Sequence, residues 1–219
     1  MSNHEIILLL VVLTLLILSL AIHEAAHAFV AYRCGDDTAK HMGRLTLNPI
    51  DHIDPFMTIM LPAFLWFSTN GAFVFGGAKP VPVNPYNLRN PSRDMMYVSL
   101  AGPISNFLLA IIFMVAFKGL AVFGHYPNGS LMMSALKNGA VLNVVLAVFN
   151  LTPIPPLDGS RVVMHFLPQS KKHAYAQIER YGIFIIIGLL YLVPGTKHLL
   201  FACVQEVWSF LDFITGGRW

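Results

Sequence analysis

Two histidines four residues apart, with a glutamate between them, close a long uncharged apolar run: His23-Glu24-Ala25-Ala26-His27. On a helix that spacing sets both imidazoles on one face, where they can grip a single zinc ion. The glutamate beside them can serve as a base. The preceding stretch, Ile6 to Ile22, carries only Thr14 and Ser19 as polar side chains. Chemistry at this position lies inside a membrane, where ionisable residues are costly and functional by default.

Two histidines do not complete a catalytic zinc site, which needs a third protein ligand and an open position. Asp36, Asp37, His41, Asp51, His52 and Asp54 follow in the next loop and are candidates. Asp158 is preferred. It is the only acid between Asn138 and Ser160, in a stretch broken by Pro153, Pro155 and Pro156. Prolines there prevent helix and remove backbone donors. Non-helical backbone at membrane depth is tolerated only where protein buries it or it lines a wet cavity. A carboxylate held in such a place needs a partner, and a zinc ion provides one. Asn106 and Asn150 are polar within apolar helices. Each is a candidate for holding substrate backbone or an oxyanion, set against the ordinary role of interhelical glue. Gly102-Pro103 reads as permitting a kink and close packing.

The elements that must position these groups follow from hydropathy. Hydrophobic residues make up 56% of the 219 and charged residues 11%, against roughly 25% charged in soluble domains. Mean hydropathy is +0.63. The expected architecture is an all-α polytopic membrane protein, a single domain over 1–219 with its core at 5–160 and C-terminal helices at 172–215. It should have about four to six transmembrane helices, with a re-entrant or extended segment between the first two spans. The first helix is expected from about Glu5 to Tyr32. It has no leading Lys or Arg and is too long for a signal-peptide core, so it reads as retained. Further spans are expected at Met95 to Phe117, about Leu131 to Leu151 and about Ile178 to Val193. His198 to Thr215 is apolar but holds Glu206 and Asp212, and its course is left open. Phe56 to Phe67 is too short to cross. Phe73 to Gly77 and the proline-rich Lys79 to Pro85 read as extended segments and turns. Cys34 and Cys203 are expected to be free thiols, and nothing in the charge pattern calls for nucleic acid.

Lysine and arginine bias orients the chain. With the N-terminus outside, ten such residues fall on inner segments, against Lys118, Lys137 and Lys197 outside, so the His-Glu-x-x-His end faces the cytoplasm. For Asp158 to reach the histidines, the first and third spans must run parallel. Met95 to Phe117 then supplies the one crossing between them, and the 56–78 segment must enter and leave on the same side.

Together these motifs make the chain resemble the site-2 protease family of intramembrane zinc metalloproteases. His23 to His27 matches that family's His-Glu-x-x-His, and Asn150 through Gly159 its Asn-x-x-Pro-x-Pro-x-x-Asp-Gly element. Gly102-Pro103-Ile104-Ser105-Asn106 resembles its Gly-Pro-x-x-Asn, and Lys79 to Asn84 the loop before it. The resemblance implies that His23, His27 and Asp158 bind one Zn2+ and that Glu24 is the catalytic base. It implies hydrolysis of peptide bonds in or near transmembrane segments of a membrane-tethered protein substrate, in the cell membrane. The short loops resemble those of minimal members without peptide-binding or nucleotide-sensing domains. Extended residues around Phe73 to Phe75 could pair with an unwound substrate by β-addition. Two rivals stand beside this. A catalytically silent zinc-binding scaffold should have lost the base or a ligand, and all four positions are intact. A metal transporter should repeat its ligand-bearing segments in two halves, and no repeat appears.

Overall fold

The computed structural model describes residues 3–68, 76–124 and 130–217. Among these the chain is all-α. Three long helices make the frame: α1 (Asn3–Arg33), α4 (Pro91–Phe123) and α5 (Leu131–Asn150). Between α1 and α4 lie two short pieces, α2 (Thr38–His41) and α3 (Leu61–Ser68). After α5 come α6 (Asp158–Phe166), α7 (Gln169–Gln177), α8 (Gly182–Leu192) and α9 (Thr196–Ile214). Four stretches are long and apolar enough to cross a membrane: Ile6–Arg33, Pro91–Phe123, Leu131–Asn150 and Gln169–Leu192. Large side chains such as Leu10, Leu108 and Ile112 stand exposed on them, as lipid-facing surfaces require.

Helix α1 packs through small residues. Ala21, Ala25, Ala28 and Ala31 are buried beside Ser19, His23 and His27, and their size lets α4 and α5 approach closely. Helix α4 starts four residues before the apolar run because Asn90 caps it. The Asn90 side chain accepts from Arg93 N, Pro91 opens the helix, and Asp94 accepts from the Asn90 N–H at 2.8 Å. The helix continues through Pro103. Ala110 and Met114 of α4 meet Ala140 and Val144 of α5 and Leu211 of α9 in the apolar core.

The segment between α1 and α4 goes out and returns. Gly77 N donates to Met57 O at 3.1 Å, and Thr58 Oγ1 donates to Gly77 O at 2.7 Å. Its two ends are therefore at one level, and among the described residues α4 is the one crossing between α1 and α5. Phe73 to Phe75 lie outside the described residues.

Beyond α5 the chain folds back on the end that carries Asp158. Tyr175 Oη donates to Pro153 O, Arg161 pairs with Glu179, and Lys172 donates to Ser92. A Cβ on Gly182 would collide with the Pro155 carbonyl. Stretch Gln169–Leu192 is thus held along this end through its first half. Helix α9 runs the length of the bundle. Thr196 and Leu199 share a cavity with Leu151 and Pro153 at its start, and Asp212 near its end lies 2.6 Å from Lys118 Nζ. That direction also moves Lys197 to the Asp158 end, away from the side expected for it, and widens the charge bias.

Candidate active site

Helix α1 presents His23 and His27 one turn apart on its buried face, 4% and 7% exposed. The rings meet edge to face, with centroids 4.6 Å apart. Each ring is tied at Nδ1. His27 Nδ1 lies 2.6 Å from the Val98 carbonyl oxygen, and His23 Nδ1 lies 2.6 Å from Asn106 Oδ1, both on α4. Since a carbonyl only accepts, His27 carries its proton on Nδ1, leaving the Nε2 lone pair free.

Asp158 arrives on the chain that follows α5. The turn after α5 contains a cis Pro155–Pro156 bond, and α6 begins at Asp158, so the carboxylate sits at a helix N-terminus that favours its charge. The residue after it has to be glycine, since a Cβ on Gly159 would overlap the Leu151 carbonyl. The result is a triangle of donor atoms. The two Nε2 atoms are 3.0 Å apart, and Asp158 Oδ2 is 3.2 Å from one and 3.4 Å from the other. Tetrahedral ligands about 2.0–2.1 Å from zinc stand roughly 3.3 Å from one another.

Two features test whether these residues suit a cation. Asp158 Oδ2 is buried yet has no hydrogen-bond partner, although both Nε2 atoms lie within ion-pair distance of it. And Gly102 of α4 keeps a gap open beside the rings, because a Cβ there would stand 2.5 Å from His23 Nε2 and closer still to His27 Nε2. A buried, unpartnered carboxylate oxygen and two imine nitrogens around a preserved space fit zinc's N/O preference.

Glu24 points to the adjacent loop, and its Oε2 accepts from Val81 N at 3.0 Å. Pro80 and Pro82 have no N–H, so Val81 is the donor this part of the loop can offer. The loop is strapped in place. Lys79 N donates to His52 O at 2.8 Å, Arg44 Nη2 donates to Lys79 O at 2.6 Å, and Asn84 N donates to Asp36 Oδ2 at 2.7 Å. Asp36 is fully buried. Burial works against its charge, but bonds from Thr38, Asn84 and Asn87 outweigh it and hold its carboxyl below the ordinary carboxylate range. The strap is therefore complete above that range and is lost only as pH falls through the lowered value.

Among the described residues, His23, His27 and Asp158 form the group able to share one ion. Five of the six rival acids and histidines have other work, and Asp51 lies outside the group. Asp36 anchors the loop, Asp54 accepts from Phe56 N and Met57 N, Asp37 and His41 face each other in solvent, and His52 Nε2 bonds Thr46 O. Asn106 is fully buried, its Oδ1 on His23 and its Nδ2 donating to Asn143 Oδ1. Asn150 Nδ2 donates to Leu146 O one turn back. Three contributors escaped the sequence reading. Val81 and Val98 act through backbone, which no side-chain pattern reveals. Asn143 was visible as an asparagine in an apolar span.

Comparison with known proteins agrees with this geometry. The chain matches peptidase family M50 over residues 11–138 and 128–193. It is 42% identical over 193 residues to YwhC of Bacillus subtilis (strain 168), covering 84% of this chain and 81% of that one. It is 32% identical over 197 residues to Rip2 of Mycolicibacterium smegmatis, covering 90% and 71%. Both relatives carry names that provisionally make them zinc metalloproteases. No solved structure matches the chain. A three-donor triangle in a bundle of membrane-length helices, together with these matches, establishes that the chain belongs to peptidase family M50, the site-2 protease family, and is a multi-pass membrane zinc metalloprotease.

Proposed function

We propose that the protein is an intramembrane endopeptidase that hydrolyses peptide bonds in or near transmembrane segments of membrane-tethered proteins, from the cytoplasmic side of the cell membrane. The observation that carries the reading is the donor triangle, formed by two buried histidines near the end of a membrane-length helix and the half-buried Asp158. His23, His27 and Asp158 hold the zinc. Zinc, when bound, supplies the Lewis acidity that makes water a nucleophile near neutral pH and draws charge from a peptide carbonyl.

The chain's own groups do the rest. The Nδ1 contacts to Val98 and Asn106 keep both imidazoles turned Nε2-forward. Glu24 Oε2 rests on the Val81 N–H, which leaves Oε1 to take the proton from the attacking water. As the water oxygen bonds to the carbonyl carbon and the C–N bond breaks, Glu24 returns that proton to the departing amine nitrogen. Burial of the rings keeps bulk water from competing. A helical substrate hides its peptide groups, so it must unwind locally to present one.

The reading is tested in lipid vesicles with a transmembrane reporter whose cut site is mapped by mass spectrometry. Cleavage within or next to the spanning segment is expected, lost with a zinc chelator and regained on adding zinc. Cuts confined to soluble peptides would refute the intramembrane part, and a zinc-loaded protein that cuts nothing would favour the silent scaffold. Orientation is read by labelling intact cells with a membrane-impermeant thiol reagent, in a background with Cys34 and Cys203 replaced by serine. Cysteine at 122 or 215 should react from outside and cysteine at 40 should not; a reactive 40 reverses the topology.

A further inference from the structure

The two zinc-facing histidines are held in the same tautomer by unlike means. His27 is fixed directly by a backbone carbonyl. His23 meets an asparagine oxygen instead, and an asparagine can present either end of its amide. Something must decide which end His23 sees. The answer lies two helices away. Asn143 of α5 is fully buried, and its Nδ2 donates to the Gly139 carbonyl and to Ser19 Oγ, both at 2.9 Å. The Gly139 carbonyl can only accept, so the Asn143 amide has one workable direction; turned over, it would set two acceptors face to face in a dry interior. With Nδ2 committed, Asn143 offers only Oδ1 to Asn106, at 2.9 Å. Asn106 must therefore give its Nδ2 there and turn Oδ1 to His23. His23 in turn must carry its proton on Nδ1, which leaves Nε2 bare.

We infer that Asn143 is a positioning residue for the zinc site: through Asn106 it sets the tautomer of His23 and so keeps a lone pair aimed at the metal. The chain of dependence runs from a backbone carbonyl of α5 through α4 to α1, with every member buried. It has one sense only, because each group's remaining capacity is dictated by the group before it. This rests on the reading of His23 as a ligand. Replacing Asn143 with leucine removes the acceptor that Asn106 Nδ2 needs. Asn106 is then free to turn over and donate to His23 Nδ1, which places the His23 proton on Nε2, in the metal's path.

The experiment measures zinc affinity by competition with a chromophoric chelator, in detergent-solubilised full-length protein. Histidine tautomers are read by 15N NMR on the zinc-free protein at a pH that keeps the rings neutral. Asn143→Leu is expected to weaken zinc binding about 10–100-fold, the range seen when outer partners of metal ligands are removed. It should also shift His23 from the Nδ1–H to the Nε2–H form. The diagnostic case is the double variant Asn143→Leu/Asn106→Asp. A carboxylate has no donor end to turn over, so it should restore both zinc affinity and the Nδ1–H form. A purely structural role for Asn143 predicts no such rescue, since the second change adds a buried charge. Native zinc affinity in folded Asn143→Leu overturns the inference, as does an Nε2–H His23 in the zinc-free native protein whether or not any variant folds. His23→Ala separates the two levels: zinc retained there removes His23 as a ligand, whereas zinc lost there but kept in Asn143→Leu rejects only the role of Asn143.

Discussion

Glu24→Gln is expected to bind zinc as the native protein does and to cleave a transmembrane reporter about 10²–10⁴-fold more slowly, the span usual for a lost general base. The change is close to isosteric, and the glutamine oxygen can still accept from the Val81 N–H, 3.0 Å from Glu24 Oε2 in the native site. The loop held by Arg44, His52 and Asp36 therefore has no reason to move. With the oxygen on Val81, the amide turns its NH2 to the side from which water would attack. A donor then stands where an acceptor is required, and the amide cannot carry the proton to the amine. The loss should accordingly fall near the upper end of that span. Metal analysis and reporter turnover, measured on one preparation, separate the outcomes. Activity within tenfold of native removes Glu24 as the base. Loss of zinc along with activity makes it a prop for the metal site instead.

Much of this arrangement was legible in the residues because membrane chemistry leaves few choices. A long apolar run ending in His-Glu-x-x-His fixes one helix and one face. The meeting of that face with Asp158 was a problem of parity: with Met95 to Phe117 as the one crossing, the 56–78 segment had to enter and leave on the same side, in keeping with the shortness of its apolar run Phe56 to Phe67; the Gly77 to Met57 bond closes that segment on itself. The beginning of α4 at Pro91 was missed because its first turn holds Arg93 and Asp94, which an apolar window rejects but an Asn90 cap welcomes. Helix α6 was missed because Pro153 to Pro156 argue for irregular chain and give no notice that a helix follows at Asp158. The course of α9 was undecidable from composition. Glu206 and Asp212 weaken its apolar signal, and it is the Lys118–Asp212 pair and the place of Leu211 in the core that fix where its end lies. What stayed hidden around the site is mostly backbone: the Val98 carbonyl and the Val81 N–H belong to valines, whose polar work has no letter in the sequence. The Gly102-Pro103 pair reads as a kink until the rings are seen against it. The glycine then proves to be a clearance for the histidines as well as a packing residue.

That clearance makes Gly102→Ala the sharpest test of the site, because it should abolish zinc binding without touching a donor atom. The added methyl would stand 2.5 Å from His23 Nε2 and nearer to His27 Nε2, well inside van der Waals contact. The rings cannot easily withdraw, since each is held from behind by a 2.6 Å bond. Nor can α4 back away. The Val98 carbonyl and the Asn106 side chain that clamp the rings belong to the same helix as Gly102, on either side of it, so a shift that relieves the clash stretches both clamps. The relief left is for the rings to swing out of line, which breaks the donor triangle with Asp158. Helix stability should not suffer in proportion, because alanine is favoured over glycine in a helix by about 1 kcal/mol. The expected result is therefore a folded protein with its helical content intact, a zinc affinity at least about 100-fold weaker on the scale of lost metal-ligand support, and no cleavage at zinc concentrations that saturate the native enzyme. Folded Gly102→Ala that binds zinc within tenfold of native would mean that the metal does not sit between these two rings, and the assignment of His23 and His27 would go with it.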